Sequence, residues 1–325
     1  MIFISTIFYY IGIIISTASI TWAISHSRAI INDSMQNGML FQGYALNILK
    51  RNYLIILAIF ETPIILVAVM IIYLYNFFSS SYIYLSIFLL ASIIAIALVS
   101  FCTALFYHKP SERFLSSLAA HPNLGGLTSG QLILCLSLIQ TPLLITLISI
   151  IINCIFLNDV LIKEIFIPIN KILILSSNVL LVSIASSGSV IGMQEIIQKY
   201  ANINIFYPSI SEKNFLNLII SLGLIEAPFI FSFIINLLIV GLIDAPNSNI
   251  LWIFVFVPLI FGVVAGYAAY QSGIVAAKGF DFISENEDKN KKIRTIALFS
   301  QILLDSRVLY MFVIIILCMT TLKFI

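Results

Sequence analysis

The sequence predicts an all-α integral membrane protein, with eight transmembrane helices arranged as four tandem helical hairpins. Three observations predict it. The 325 residues are 61% hydrophobic and 9% charged, with a mean hydropathy of +1.12, where a globular chain is about 25% charged. The apolar residues gather in long, nearly charge-free runs. The runs also repeat with a regular internal pattern. A net charge of +2, with no large basic or acidic block, gives no footprint for nucleic acid, and the composition excludes a soluble enzyme or a disordered scaffold.

Crossing about 30 Å of hydrocarbon takes about 20 helical residues. Runs of that length fall near 3–27, 53–78, 82–107, 129–154, 172–197, 215–242, 250–277 and 295–322. Helices are expected because backbone polar groups facing lipid must be paired within the segment, and a barrel would show short alternating strands instead. The first 27 residues hold no charged side chain, so the basic start of a signal peptide is missing and the first run is expected to be a retained span. Cys102, Cys135, Cys154 and Cys318 stand singly in apolar stretches without metal-binding spacing, as small core hydrophobes do.

The links between runs are of two kinds. Twelve basic residues (Arg28, Lys50, Arg51, Lys109, Arg113, Lys199, Lys213, Lys278, Lys289, Lys291, Lys292, Arg294) sit at or beside the links after spans 1, 3, 5 and 7. Lys163, Lys171 and Lys323 belong to the other side, and Arg307 lies inside a span. The positive-inside rule makes the first kind cytoplasmic and puts both termini on the opposite face. The hairpins then occupy 1–78, 79–157, 172–243 and 250–322.

Each second helix carries a polar residue near its middle. These are Glu61 in Ile59-Phe60-Glu61-Thr62-Pro63, Gln140 in Leu138-Ile139-Gln140-Thr141-Pro142, Glu226 in Leu224-Ile225-Glu226-Ala227-Pro228, and Asp305 in Leu303-Leu304-Asp305-Ser306-Arg307, at separations of 79, 86 and 79 residues. Eighteen residues earlier stand Gly43, Pro122, Pro208 and Glu287, always within the expected cytoplasmic link. The first helices carry small residues at a matching depth: Ser19, Ala23 and Ser27; Ser100 and Ala104; Gly188 and Gly192; Gly262 and Gly266. Small residues let transmembrane backbones approach closely, so a tight line of first helices beside an outer line of second helices is expected. The prolines after the polar residue are expected to kink their spans.

Glu61 lies about nine residues into its span, about 14 Å deep at 1.5 Å per residue. An acid there costs roughly 2.5–3.5 kcal/mol to insert, so Glu61, Glu226 and Asp305 point to function. Hydrocarbon favours the neutral carboxyl, and water or a cation favours the anion; a group alternating between the two loads and releases one ion per exposure.

A small-residue first helix, a polar link and a midplane acid eighteen residues later resemble the proteolipid, or c, subunit of rotary ATPases. Leu118-Ala119-Ala120-His121-Pro122-Asn123 is similar to the family's Ala-Arg-Gln-Pro-Glu link. Hairpin 4 resembles the family in its spans, through Gly262, Gly266, Ser272, Gly273, Ala276, Ala277 and Gly279, then Leu303 to Tyr310. A chain with several hairpins resembles the fused proteolipids of vacuolar-type enzymes. The resemblance implies a rotor-ring component, in a homo-oligomeric or mixed ring surrounded by membrane lipid. The acids would carry protons or sodium ions past a stator a-type subunit, and the links would meet central-stalk subunits. Ion flow would thereby couple to ATP synthesis or hydrolysis, with no cofactor of its own.

The resemblance makes Glu226, Glu61 and Asp305 the ion-binding residues. Gln140 stands at the equivalent position as an amide that cannot ionise. Sodium would need further oxygens, for which the candidates are Gln194, Gln271, Ser306 and Thr62. Arg28 sits at the depth of a first-helix ligand and either pairs with Glu61 or snorkels to the surface. Arg307, about 200° around the helix from Asp305, adds a deep positive charge. No phosphate-binding loop or catalytic triad is found, so ATP chemistry would belong to partners. Two other readings are a secondary transporter whose acids converge on one cavity and a degenerate, non-transporting proteolipid. The sidedness is tested with single cysteines at Asn123 and Asn247: a membrane-impermeant thiol reagent is expected to reach them from opposite faces of sealed vesicles, and labelling from one face overturns the topology.

Overall fold

The structure, a computed structural model, describes residues 2–75, 83–163, 169–242, 253–285 and 290–323. The expected loops at 79–81 and 244–249, with Trp252 and Glu287, lie outside the described residues. All regular elements described are helices: α1 (Ile2–Phe41), α2 (Leu46–Phe60), α3 (Thr62–Tyr75), α4 (Ile83–Phe106), α5 (His108–Ala120), α6 (Gly125–Leu138), α7 (Thr141–Lys163), α8 (Ile169–Phe206), α9 (Pro208–Leu242), α10 (Ile253–Glu285) and α11 (Asn290–Lys323), with single 3-10 turns at Gly43–Ala45 and Pro122–Leu124.

Seven helical stretches among the described residues are long and apolar enough to cross a membrane, coinciding with the second to eighth expected spans. The chain is thus an all-helical, multi-pass integral membrane protein. The expected first span, 3–27, lies inside α1, a continuous helix of 40 residues.

The helices run well beyond the apolar spans. α1 continues through Arg28 to Phe41, and only residues 42–45 separate it from α2. Between α8 and α9 only Tyr207 is non-helical. Hydropathy marks where the apolar run ends, whereas the polar residues that follow are compatible with continued helix, so most of the described part of the links after the first, third, fifth and seventh expected spans is helical.

The packing forms two layers. α1 packs on α4 and α5, these pack on α8, and α8 packs most extensively on α10. The second layer holds α2–α3, α6–α7, α9 and α11. α3 touches both α1 and α4, α7 touches both α4 and α8, and α9 touches both α8 and α10. Burial is greatest in the middle of the inner row: 78% of the apolar window of α8 is buried inside the molecule, against 44% for α10 and 22% for α11. Cys102, Cys135 and Cys154 are core residues as expected, whereas Cys318 is exposed on α11.

Small residues set the spacing of the inner row. A Cβ at Gly188 would collide with the backbone of Gly266, and one at Gly273 with that of Gly192. A Cβ at Gly262 would stand 2.8 Å from the Leu181 carbonyl oxygen. Only glycine permits backbone-to-backbone contact of this kind. At the other junctions Ser27 donates to the Ala104 carbonyl at 2.7 Å, and the Gln194 amide donates to the Thr103 carbonyl at 3.0 Å. Near the link end, Lys109 pairs with Glu195 across α5 and α8, and Lys199 with Asp281 across α8 and α10 at 2.9 Å.

Gly188→Leu is expected to force α8 and α10 apart and to cost about 1–3 kcal/mol or more, the usual penalty of overpacking. Thermal unfolding in mild detergent reads it, and an unchanged midpoint would contradict the close approach.

Candidate functional site

Two of the prolines that follow the repeated polar residues interrupt their helices. The break falls at Glu61 between α2 and α3, and at Ile139–Gln140 between α6 and α7; Pro228 sits inside an unbroken α9. A proline cannot donate to the carbonyl four residues earlier, so Pro63 frees the carbonyl of Ile59 and Pro142 that of Leu138. In hydrocarbon a freed carbonyl needs another donor. The Gln140 side-chain amide donates to Ile59 O at 2.9 Å, across the α2–α6 contact. The Thr141 hydroxyl lies 2.8 Å from Leu138 O.

Gln140 is therefore more than a silent replacement for an acid. It is buried, and its amide closes a backbone defect in the adjacent helix. Sequence reading missed this, though the signal was present: an amide at the repeat position opposite a proline that leaves an unpaired carbonyl one repeat earlier.

Glu226 lies half-buried on α9, and Thr141 of α7 is within 2.5 Å of its Oε1. One hydroxyl proton cannot serve Leu138 O and Glu226 together. When Glu226 is an anion, Thr141 donates to it. When Glu226 is neutral, its own O–H can donate to the Thr141 oxygen, whose proton then turns to Leu138 O. The threonine can hydrogen-bond either protonation state, and sequence reading did not include it.

Glu61 is half-exposed on the outer layer and pairs with Arg28 of α1, at 3.6 Å from Nη1 to Oε1. Of the two alternatives open from sequence, ion pairing is the one observed. Asp305 is buried on α11 at 8% exposure, and neither carboxylate oxygen has a hydrogen-bond partner among the described residues. Arg307 is exposed, so the two lie on different faces as their spacing predicts. One turn before Asp305, Gln301 is fully buried and donates towards Ser272 and the Ser221 carbonyl, leaving its own Oε1 unpaired.

The candidate auxiliary oxygens do not assemble. Thr62 and Ser306 donate to carbonyls of their own helical stretch, Ala58 at 3.4 Å and Leu303 at 2.8 Å. Gln194 is buried and turned to Thr103 on α4, and its Oε1 is unpaired. Gln271 is only partly buried on α10. Among the described residues no group of His, Cys, Asp and Glu is placed to hold a metal ion.

Glu61 joins helices that pack mainly on α1, α4, α5 and α6, whereas Glu226 and Asp305 stand on α9 and α11, which pack against each other. An apolar cavity of about 450 Å³ between α10 and α11 and a polar one of about 480 Å³ between α1 and α5 are lined by none of them. Comparison of the chain with protein-family models, curated proteins and solved structures finds no match.

Gln140→Leu is expected to leave Ile59 O unpaired and to destabilise the protein by about 1–3 kcal/mol, seen as a lower unfolding midpoint. In a Pro63→Ala background, where the backbone N–H restored at that position can donate to Ile59 O, the loss is expected to shrink. An equal loss in both backgrounds would sink the assignment.

Proposed function

We propose that the chain is an ion-carrying component of a rotor ring, four tandem hairpins with eight spans, whose links lie in the cytoplasm. One observation carries this reading: inner helices stand in an open row, and the outer layer presents one midplane polar side chain for each inner helix, three of them carboxylates. Enclosed transport cavities bring such groups together, whereas a rotor needs them separated so that each meets the stator in turn. The position of Glu61 away from the helices that carry Glu226 and Asp305, with none of the three lining either cavity, favours the rotor over a secondary transporter.

The four positions divide the work. Glu226 and Asp305 carry the ion. Glu61 is held by Arg28, and Gln140 pairs a backbone carbonyl and carries none. Protons are favoured over sodium because the candidate oxygen donors are not gathered at any of the acids: Thr62 and Ser306 bond within their own helical stretch, and the Gln194 amide bonds to α4. Thr141 serves Glu226 in either protonation state, which suits a group that gains and loses a proton while otherwise enclosed. ATP synthesis or hydrolysis belongs to partner subunits reached through a stator and a central stalk.

The Arg28–Glu61 pair and the amide at Gln140 favour a second reading, a proteolipid that holds a membrane assembly together without carrying ions. Glu226→Gln separates the two. In vesicles containing the assembled complex, the rotor reading expects ion-coupled ATPase activity to fall by an order of magnitude or more. Unchanged coupling, with Asp305→Asn also silent, would leave the structural role.

A further inference from the structure

The helices α9, α10 and α11 pack on one another in all three pairings, and the seam where they meet carries more polar atoms than its packing uses. On α11 the buried face holds Gln301, Asp305 and Val308. The Gln301 amide donates towards the Ser221 carbonyl of α9 at 3.5 Å and the Ser272 hydroxyl of α10 at 3.3 Å. Its Oε1 and both carboxylate oxygens of Asp305 have no hydrogen-bond partner among the described residues. Residues four apart on a helix have Cβ atoms about 5–6 Å apart, so three acceptors without a donor gather within one helical turn. Buried oxygens in that state call for a proton or a water.

The arrangement is peculiar to the fourth unit. One turn before Glu61, Gln140 and Glu226 stand Leu57, Leu136 and Leu222. Leucine satisfies the packing there three times over, so the amide of Gln301 answers to something else.

Towards the link end the seam opens. A cavity of about 10 Å³ lies there, about the room that one water needs. Its walls include Asn217 and Ser221 of α9, Ala276 and Gly279 of α10, and Arg294 of α11. Ser221 thus belongs both to the cavity and to the contact with Gln301. Along α11, Arg294, Gln301 and Asp305 lie on one face to within about 40°, over a rise of about 16 Å. Polar groups therefore mark one continuous line from the link end to the carboxylate.

We infer that Asp305 exchanges its proton with the link face of the membrane through this seam, along water held at the cavity, and that Gln301 is the positioning residue that receives the neutral carboxyl at the inner end. Water at the cavity gives up a proton, intervening water or the Ser272 hydroxyl accepts it and passes on its own, and the carboxylate gains it. The O–H so formed donates to Gln301 Oε1, and release reverses each step. This rests on the reading of Asp305 as an ion carrier and adds a route inside the chain, where a rotor otherwise loads its acids at the stator. The charged side chains nearest in depth are turned away from the seam: Glu226 to Thr141 on α7, Asp281 to Lys199 on α8, and Arg307 outward. Arg294 stands at the mouth.

The route is tested in sealed native membrane vesicles, with Cys102, Cys135, Cys154 and Cys318 replaced by alanine. Silver ion added at the link face is expected to block the thiols of Ser221→Cys and Gln301→Cys and to spare that of Leu136→Cys, the same repeat position in the second unit. Blocking from the opposite face, of none, or of all three alike overturns the route. The proton is read from the infrared band of the neutral Asp305 carboxyl, assigned by its loss in Asp305→Asn. Its exchange for deuterium is expected to slow by an order of magnitude or more in Gln301→Leu, a residue that the other three units carry at this point; a purely structural role would loosen the seam and speed exchange. A missing band, an unchanged or faster exchange in Gln301→Leu, or exchange suppressed by sodium would overturn the inference. Should the route hold in a complex whose coupled ATPase activity survives Glu226→Gln and Asp305→Asn, it stands and the rotor reading falls. A complex that needs Asp305 for coupling, yet whose Ser221→Cys and Gln301→Cys variants stay closed to silver, does the reverse.

Discussion

The carbonyl of Ile59, freed by Pro63 at a depth where hydrocarbon offers no donor, must be paired by something other than its own helix, and Gln140 supplies the amide. The rest of the outer layer depends on this constraint. Proline opens the helix beside Glu61 and beside Gln140, and the freed backbone group is closed either from the neighbouring unit or by a hydroxyl such as Thr141. The same closure links the midplane positions along the layer. Gln140 reaches back to the helix before Glu61, and Thr141 reaches forward to Glu226.

A second constraint acts on the inner row. Association in lipid gains little from apolar burial, because lipid is as apolar as the side chains, so it depends on close packing and on polar contacts. Glycine supplies close packing between α8 and α10, and hydroxyl or amide side chains supply polar contacts at the junctions before it. One sequence repeat is therefore held together in two ways.

Much of the site was legible as positions. The recurrence of Glu61, Gln140, Glu226 and Asp305 at nearly fixed separations needs no structure to be seen, and helical periodicity alone separated Asp305 from Arg307. The occupation of those positions was not legible. Arg28 had two places to go, Gln140 had no evident duty, and Thr141 looked like a neighbour of Gln140 when it is the partner of Glu226. Each depends on a side chain some 33 to 85 residues away in sequence, and no local pattern reports such distances.

The sequence by itself determined that this chain is a helical membrane protein and where Glu61, Gln140, Glu226 and Asp305 recur within its apolar runs, because hydropathy and repeat spacing are properties of consecutive residues that the bilayer reads directly. Only the tertiary structure decided which helices form the inner row, how close they come and which carboxylates are paired. Those outcomes depend on complementarity between distant surfaces, where the presence or absence of one Cβ changes the distance between two backbones.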